Sequence, residues 1–121
     1  MTVIAETLPD TPLALLQAVF GYQQFRPGQL EIIEQIVAGR DAMVLKPTGG
    51  GKSLCFQIPA LLRPGLGVVV SPLISLMKDQ VDSLRANGVA AIYINSALSR
   101  EEMIQNVAAM RRGEIKLLYV S

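Results

Sequence analysis

The chain has 121 residues, half of them apolar and 17% charged, with a formal net charge of +1, which suits one compact folded domain at the small end for an α/β nucleotide-binding unit. It has no histidine and one cysteine, Cys55, which excludes histidine acid–base catalysis, a Cys-His dyad, a zinc cluster and an internal disulfide. A charge near zero argues neither for nor against nucleic acid, because distribution matters more than the total.

No apolar run approaches the roughly 18 residues of a membrane span, and no basic-then-apolar leader opens the chain. The expectation is a soluble, cytoplasmic protein without a membrane partner. Residues 1–10 read as a flexible leader. Thr11-Pro12 then reads as a helix start, with threonine as N-cap and proline in the first turn. Leu13, Leu16, Val19 and Phe20 follow at helical spacing, and Gly21 is the stop. A second helix begins near Gly28, with Leu30, Ile33, Ile36 and Val37 as its apolar face and Gly39 at its end.

From there strands and helices alternate. The first strand is predicted over Ala42–Leu45, followed by a glycine-rich turn and a helix over Leu54–Leu62, broken at Pro59 and ended by Pro64-Gly65. Gly67–Val70 is a continuous apolar run of the kind buried on both faces of a parallel sheet. A helix over Leu73–Ala86, begun by Ser71-Pro72, shows Leu73, Met77, Val81 and Leu84 on one side. A third strand covers Ala90–Ile94. Ser99 and Glu102 form a capping box, opening a helix to Arg112 that buries Met103, Val107 and Met110, with Gly113 as its end. The last strand, Lys116–Val120, leaves an unpaired edge and hence an aggregation hazard. Alternation with short connections means βαβ units and a parallel sheet whose ligand lies at the carboxyl ends of the strands.

The chemistry concentrates in Pro47-Thr48-Gly49-Gly50-Gly51-Lys52-Ser53. A strand that ends in a glycine turn and opens a helix at Gly-Lys-Ser is a phosphate cradle. The glycines let backbone N–H groups face one concavity without Cβ clashes, and the helix start adds unpaired N–H groups and a positive dipole end. In that pattern Lys52 reaches the β- and γ-phosphates and the Ser53 hydroxyl takes a place on Mg²⁺. The full pattern is Gly-x-x-x-x-Gly-Lys-Ser/Thr, and here Lys46 stands where its first glycine belongs. Cys55, just inside the helix, reads as a small buried apolar residue rather than a nucleophile.

Hydrolysis on this fold needs a carboxylate at a neighbouring strand end to hold Mg²⁺. The predicted strand ends are Ser71-Pro72, Asn95-Ser96 and Ser121, and none of the ten acidic residues lies there. The chain is therefore expected to be the front of a longer ATPase that binds nucleotide but hydrolyses little by itself.

Three blocks together resemble a known family. Phe20-Gly21-Tyr22-Gln23-Gln24-Phe25-Arg26-Pro27-Gly28-Gln29 precedes the glycine turn; the turn continues into Leu54-Cys55-Phe56-Gln57-Ile58-Pro59-Ala60; and Val68 through Gln80 reads Val-Val-Val-Ser-Pro-Leu-Ile-Ser-Leu-Met-Lys-Asp-Gln. They closely resemble the RecQ family of ATP-dependent DNA helicases, in the first RecA-like lobe of superfamily 2. The resemblance implies a P-loop NTPase (RecA-like) fold, α/β and three-layered with a mostly parallel sheet. It implies a truncated lobe over residues 11–121 that ends before the Walker B box, with the remaining helicase lobes absent. It further implies DNA unwinding coupled to ATP hydrolysis, with 3'-5' polarity, in a nucleoid-associated protein of repair and recombination.

For the first block, the resemblance implies that Tyr22 stacks on adenine, that Arg26 lies against the ring or the phosphates, and that Gln29 pairs with the edges of adenine. The alternative is structural: Tyr22 and Phe25 seal the first helix against the second, and Gln29 caps the latter. With Thr48, Gly49, Gly50, Gly51, Lys52 and Ser53, these form the expected site for ATP and Mg²⁺. For the third block, the resemblance implies that Ser71, Pro72, Ser75 and Lys78 lie on a single-stranded DNA path, with Asn95 and Ser96 as additions. Helix-start N–H groups accept DNA phosphates well, but Ser71-Pro72 is also a good helix start without a ligand, and Lys78-Asp79 a solvated face. Contacts to the backbone and not the bases are expected, hence strong salt dependence. Two other readings compete: a stand-alone nucleotide- or DNA-binding module without turnover, and a small-molecule kinase. The latter lacks candidates for lid arginines and leaves Tyr22 to Gln29 without a role.

Overall fold

The computed structural model describes residues 8–46 and 51–121; residues 1–7, within the expected leader, and 47–50, within the glycine turn, lie outside them. The chain divides into two compact units, one of Leu8–Pro64 and one that contains Gly65–Ser121.

In the first unit, α1 spans Pro12–Ala18 and is capped as expected, the Ala14 N–H donating to Thr11 Oγ1 at 3.3 Å. Its inward stripe is Leu15, Leu16 and Val19, whereas Leu13 is exposed, so the buried face starts one residue pair later than the predicted spacing. Helix α2 spans Gln29–Val37 with Gly28 as N-cap, and its inward residues are Gln29 and Ile33. Helix α3 spans Lys52–Leu62 and packs along both α1 and α2. It continues through Pro59 instead of breaking there. An interior proline loses one backbone hydrogen bond, but Pro59 is fully buried, and the Arg63 N–H donates to the Pro59 carbonyl at 2.9 Å, closing the next turn. Leu15, Leu16, Ile33 and Ile58 are completely buried, each contributing about 1.5–3 kcal/mol of apolar transfer.

Ala42–Leu45 forms no strand among the described residues. Met43 and Leu45 are 89% and 90% exposed. An apolar, β-prone run supplies propensity, but a strand also needs a partner to hydrogen-bond with.

The second unit holds three short parallel strands in the order β1 (Gly67–Val70), β3 (Leu117–Val120), β2 (Ala91–Ile94). Helix α4 (Ile74–Ala86) connects β1 to β2, and α5 (Arg100–Arg111) connects β2 to β3. Pairing is level: Gly67 and Ala91 both face Leu117, and Val70 and Ile94 both face Val120. The last strand in sequence is therefore the middle of the sheet, not its open edge. Its residues Leu117, Leu118 and Tyr119 are buried. The edges among the described residues are β1 and β2; on β1 Val68 and Val70 are 56% and 75% exposed, so one face of that strand is not covered as the apolar run predicted.

Helix α4 buries Met77, Val81 and Leu84 as expected, with Leu73 outside the helix and exposed. Tyr119 Oη donates to Gln80 Oε1 at 2.7 Å, which ties α4 to the central strand. The capping box at α5 is present in both directions, Ser99 N–H to Glu102 Oε1 at 2.9 Å and Glu102 N–H to Ser99 Oγ at 3.1 Å. Met103, Val107 and Met110 are only half-buried, because α5 rests on the edge strand β2.

Candidate functional site

The first unit builds its candidate site from one turn. Gly21, at φ +77°, ends α1, and the Tyr22 N–H donates to the Leu16 carbonyl at 3.2 Å. The Tyr22 ring is 55% exposed, so it does not seal α1 against α2; Phe25 is half-buried. The chain then folds back over Arg26–Gln29, where the Gln29 N–H donates to the Arg26 carbonyl at 3.1 Å and the Arg26 N–H donates to Gln29 Oε1 at 2.8 Å. Gly28 makes this possible with φ +85°, a conformation that costs L-residues steric strain.

Gln29 is 1% exposed, a buried amide in a helix's first turn. Buried polar groups need partners, and Gln29 finds its second across 22 positions: Nε2 donates to the Gly51 carbonyl at 3.1 Å. Gly51 has φ +79° and is the N-cap of α3. A Cβ there would collide with Gln29 Nε2 and lie 3.7 Å from Arg26 Cδ, so the glycine is required twice, by its backbone angle and by the amide it faces.

Gly51 has no side chain with which to cap α3, and no acidic residue stands in the first turn of that helix. A helix start of this kind presents backbone N–H groups and the positive end of its dipole, which favour a nearby anion. Lys52 is the first residue of the helix and exposed; Ser53 follows, half-buried. Thr48, Gly49 and Gly50 lie outside the described residues. Cys55 is buried, with Sγ 3.8 Å from the Gly51 carbonyl. Burial pushes its thiol pKa up, against a smaller lowering by the Lys46 charge, so it is a packing residue with little thiolate character.

In the second unit, the expected DNA-contacting residues lie near the carboxyl edge of the sheet. The level register puts Ser71, Asn95 and Ser121 immediately after the paired strand ends. Ser71 does not cap α4. Its N–H continues the ladder to the Val120 carbonyl at 2.8 Å, and its Oγ accepts the Leu73 N–H at 3.2 Å, a local turn that leaves Leu73 as N-cap. Short hydroxyl side chains bond neighbouring backbone this way in competition with capping. Pro72 and Ser75 are exposed, and so is Lys78, which pairs with Asp82 at 2.6 Å one helical turn on. That bond raises the Lys78 pKa. Asn95 is 6% exposed: Oδ1 accepts the Ala97 N–H at 2.8 Å, and Nδ2 is buried without a partner among the described residues. Ser96 beside it is exposed.

Sequence reasoning assigned no role to Lys46, whose Nζ donates to the Pro27 carbonyl at 3.3 Å. The available signal was its place, a lysine where the phosphate-loop pattern has glycine. It also missed the Tyr119–Gln80 bond, because a tyrosine within an apolar run carries no mark of its hydroxyl's partner. Among the described residues no group of three His, Cys, Asp or Glu side chains is arranged to hold a metal, and no helix is long and apolar enough to cross a membrane.

The sequence profile of the DEAD/DEAH box helicases matches residues 26–121, from the Arg26 turn to the last strand. The chain belongs to the DEAD/DEAH box helicase family. It is 55% identical over 114 residues to the ATP-dependent DNA helicase RecQ of Pasteurella multocida, covering 94% of this chain and 18% of that protein. Against the protein of the same name from Bacillus subtilis it is 48% identical over 109 residues, 89% of the chain and 18% of the relative. The ATP-dependent DNA helicase Q-like 5 of Arabidopsis thaliana is 41% identical over all 121 residues, which cover 13% of its length. The resemblance to RecQ helicases read from the three blocks is thus shown, and the chain spans about a fifth or less of the relatives it matches.

Proposed function

We propose that this chain carries the ATP-binding part of an ATP-dependent DNA helicase of the RecQ type. The observation that carries the reading is the Gln29–Gly51 bond, which joins the Tyr22–Gln29 block to the start of α3. One block offers an exposed aromatic ring and a guanidinium beside a buried amide; the other offers the positive end of a helix dipole and the Lys52 ammonium. A ligand with a flat base at one end and a polyphosphate at the other matches both.

In this reading, Tyr22 and Arg26 contact adenine and Gln29 reads its edge. Its amide keeps one N–H and one carbonyl lone pair beyond the bonds to Gly51 and Arg26. Thr48, Gly49, Gly50 and Gly51 cradle the phosphates, and Lys52 neutralises charge on the transferring group. Mg²⁺ prefers to keep several waters and to bind through phosphates, so the single Ser53 hydroxyl is a fitting protein ligand. When bound, the ion stabilises charge on the phosphate oxygens.

Ser71, Pro72, Ser75 and Lys78, with Asn95 and Ser96, contact the backbone of a single DNA strand. The level strand ends and the exposed face of α4 support this, as does the likeness to DNA helicases. Residues 11–121 act as part of one helicase lobe, with the family's other lobes completing the cleft. Among the described residues none of the three strands is followed directly by a carboxylate, which supports ATP binding with little turnover by this chain alone.

Titrating a fluorescent ATP analogue against the wild-type chain and Lys52→Ala tests the site. Affinity is expected to fall about tenfold or more, the equivalent of one charge-assisted contact; equal affinities would remove the phosphate cradle.

A further inference from the structure

Lys46 and Gly51 both bond to the turn Arg26–Gln29. On one side Lys46 Nζ donates to the Pro27 carbonyl at 3.3 Å; on the other Gln29 Nε2 donates to the Gly51 carbonyl at 3.1 Å. The left-handed backbone of Gly28 lies between these two anchors, and a Cβ there would meet Lys46 Nζ at 3.7 Å, so the ammonium sits over the turn itself. Its charge is also felt at the Cys55 thiol, within the first turn of α3.

From these two anchors we propose that Lys46 is a positioning residue for the nucleotide. By holding Pro27, it sets the distance between the proposed base-contacting turn and the proposed phosphate-contacting helix start. The inference rests on the ATP-binding reading above and goes beyond it, because the glycine usual at this place in the pattern has no side chain with which to make such a tether. Fixing in advance the turn that a ligand would otherwise have to order reduces the cost of binding. The saving falls on ligands that bridge the two parts and not on ligands that fill only one.

That asymmetry separates a tether from a mere charge. A full nucleoside triphosphate engages turn and helix start together; inorganic tripolyphosphate engages the helix start alone. The test compares the wild-type chain with Lys46→Met, which keeps the apolar stem and removes the donor, and with Lys46→Arg, which keeps a cationic donor. Affinities are measured for fluorescent ATP and GTP analogues and, by competition, for tripolyphosphate. Lys46→Met is expected to weaken ATP binding about three- to tenfold, the scale of one exposed charged hydrogen bond. Tripolyphosphate affinity should stay within about twofold, the ATP-over-GTP ratio should narrow, and arginine should restore most of the loss.

Should Lys46→Met alter the melting curve, Lys46→Gln, neutral and shorter, is the second variant and should follow the same pattern. Equal losses for ATP and tripolyphosphate would overturn the tether in favour of simple charge attraction. Unchanged affinities for both would overturn it outright. A wild-type chain that binds tripolyphosphate but not ATP would instead bring down the nucleotide reading, and the tether with it.

Discussion

The two units hold their candidate residues in opposite ways. In Leu8–Pro64 a buried amide, Gln29, bonds a turn on one side and a helix start on the other, so its neighbours are fixed before any ligand arrives. In Gly65–Ser121 the candidates sit where strands end, each held by its own local turn: Ser71 on Leu73, Asn95 on Ala97. The first arrangement suits recognition of one small molecule of defined shape. The second suits a polymer backbone, where several weak contacts along an edge matter more than any one of them.

The contrast is broken most directly at Lys52. Lys52→Ala is expected to lower ATP-analogue affinity about tenfold or more while leaving single-stranded DNA binding at the other unit nearly unchanged; a parallel fall in both would mean that the two sites are not separate. Next comes Gln29→Ala, which leaves the Arg26 N–H and the Gly51 carbonyl without their partner. Thermal unfolding should show about 2 kcal/mol of lost stability, and the ATP-over-GTP preference should relax. A stable variant with an unchanged ratio would deny Gln29 both roles.

At the other unit the effects are smaller. Lys78→Ala gives up an exposed pair with Asp82, and pairs of that kind contribute little, so the melting midpoint should not move. Single-stranded DNA affinity should fall a few-fold, with the salt dependence shallower by about one counterion. An unaltered salt slope would take Lys78 off the path.

The smallest effect is at the start of α5. The hydrogen bond from the Ser99 backbone holds the Glu102 carboxyl below its usual pKa, with the Ser99 side chain adding to it. A depressed carboxylate stabilises above its unfolded value and loses that contribution as pH falls through the folded one. The margin of wild type over Glu102→Gln in thermal midpoint should therefore be present at neutral pH and shrink in acid below the ordinary glutamate range. A margin independent of pH would mean that the box needs only a hydrogen-bond acceptor, not a charge.

The elements themselves were largely legible in the residues. Thr11-Pro12, Ser99 with Glu102, and the glycines at 21, 28, 39 and 113 mark helix ends by local chemistry, and local chemistry is what a sequence displays. Pairing is not local. Nothing in Ala42–Leu45 distinguishes an apolar stretch with a partner from one without, and nothing in Val68 or Val70 says which strand lies alongside. Pro59 misled for a related reason: its helix-breaking tendency is intrinsic, while the burial that offsets it comes from α1 and α2. At the candidate site, the residue types at Tyr22, Arg26, Gln29 and Gly51 to Ser53 were evident from pattern and resemblance. The bonds from Gln29 to Gly51 and from Lys46 to Pro27 were not, since each joins positions about twenty residues apart that carry no common periodicity.

The strand order has a consequence for how such a chain comes into being. Among the described residues both outer strands pair only with β3, which follows them in the chain. During synthesis, Gly67–Val70 and Ala91–Ile94 leave the ribosome with their ladder groups unmatched, and the first inter-strand bond of this sheet awaits the emergence of Leu117 to Val120. The two outer strands of the nascent second unit thus stay without this partner until β3 follows them.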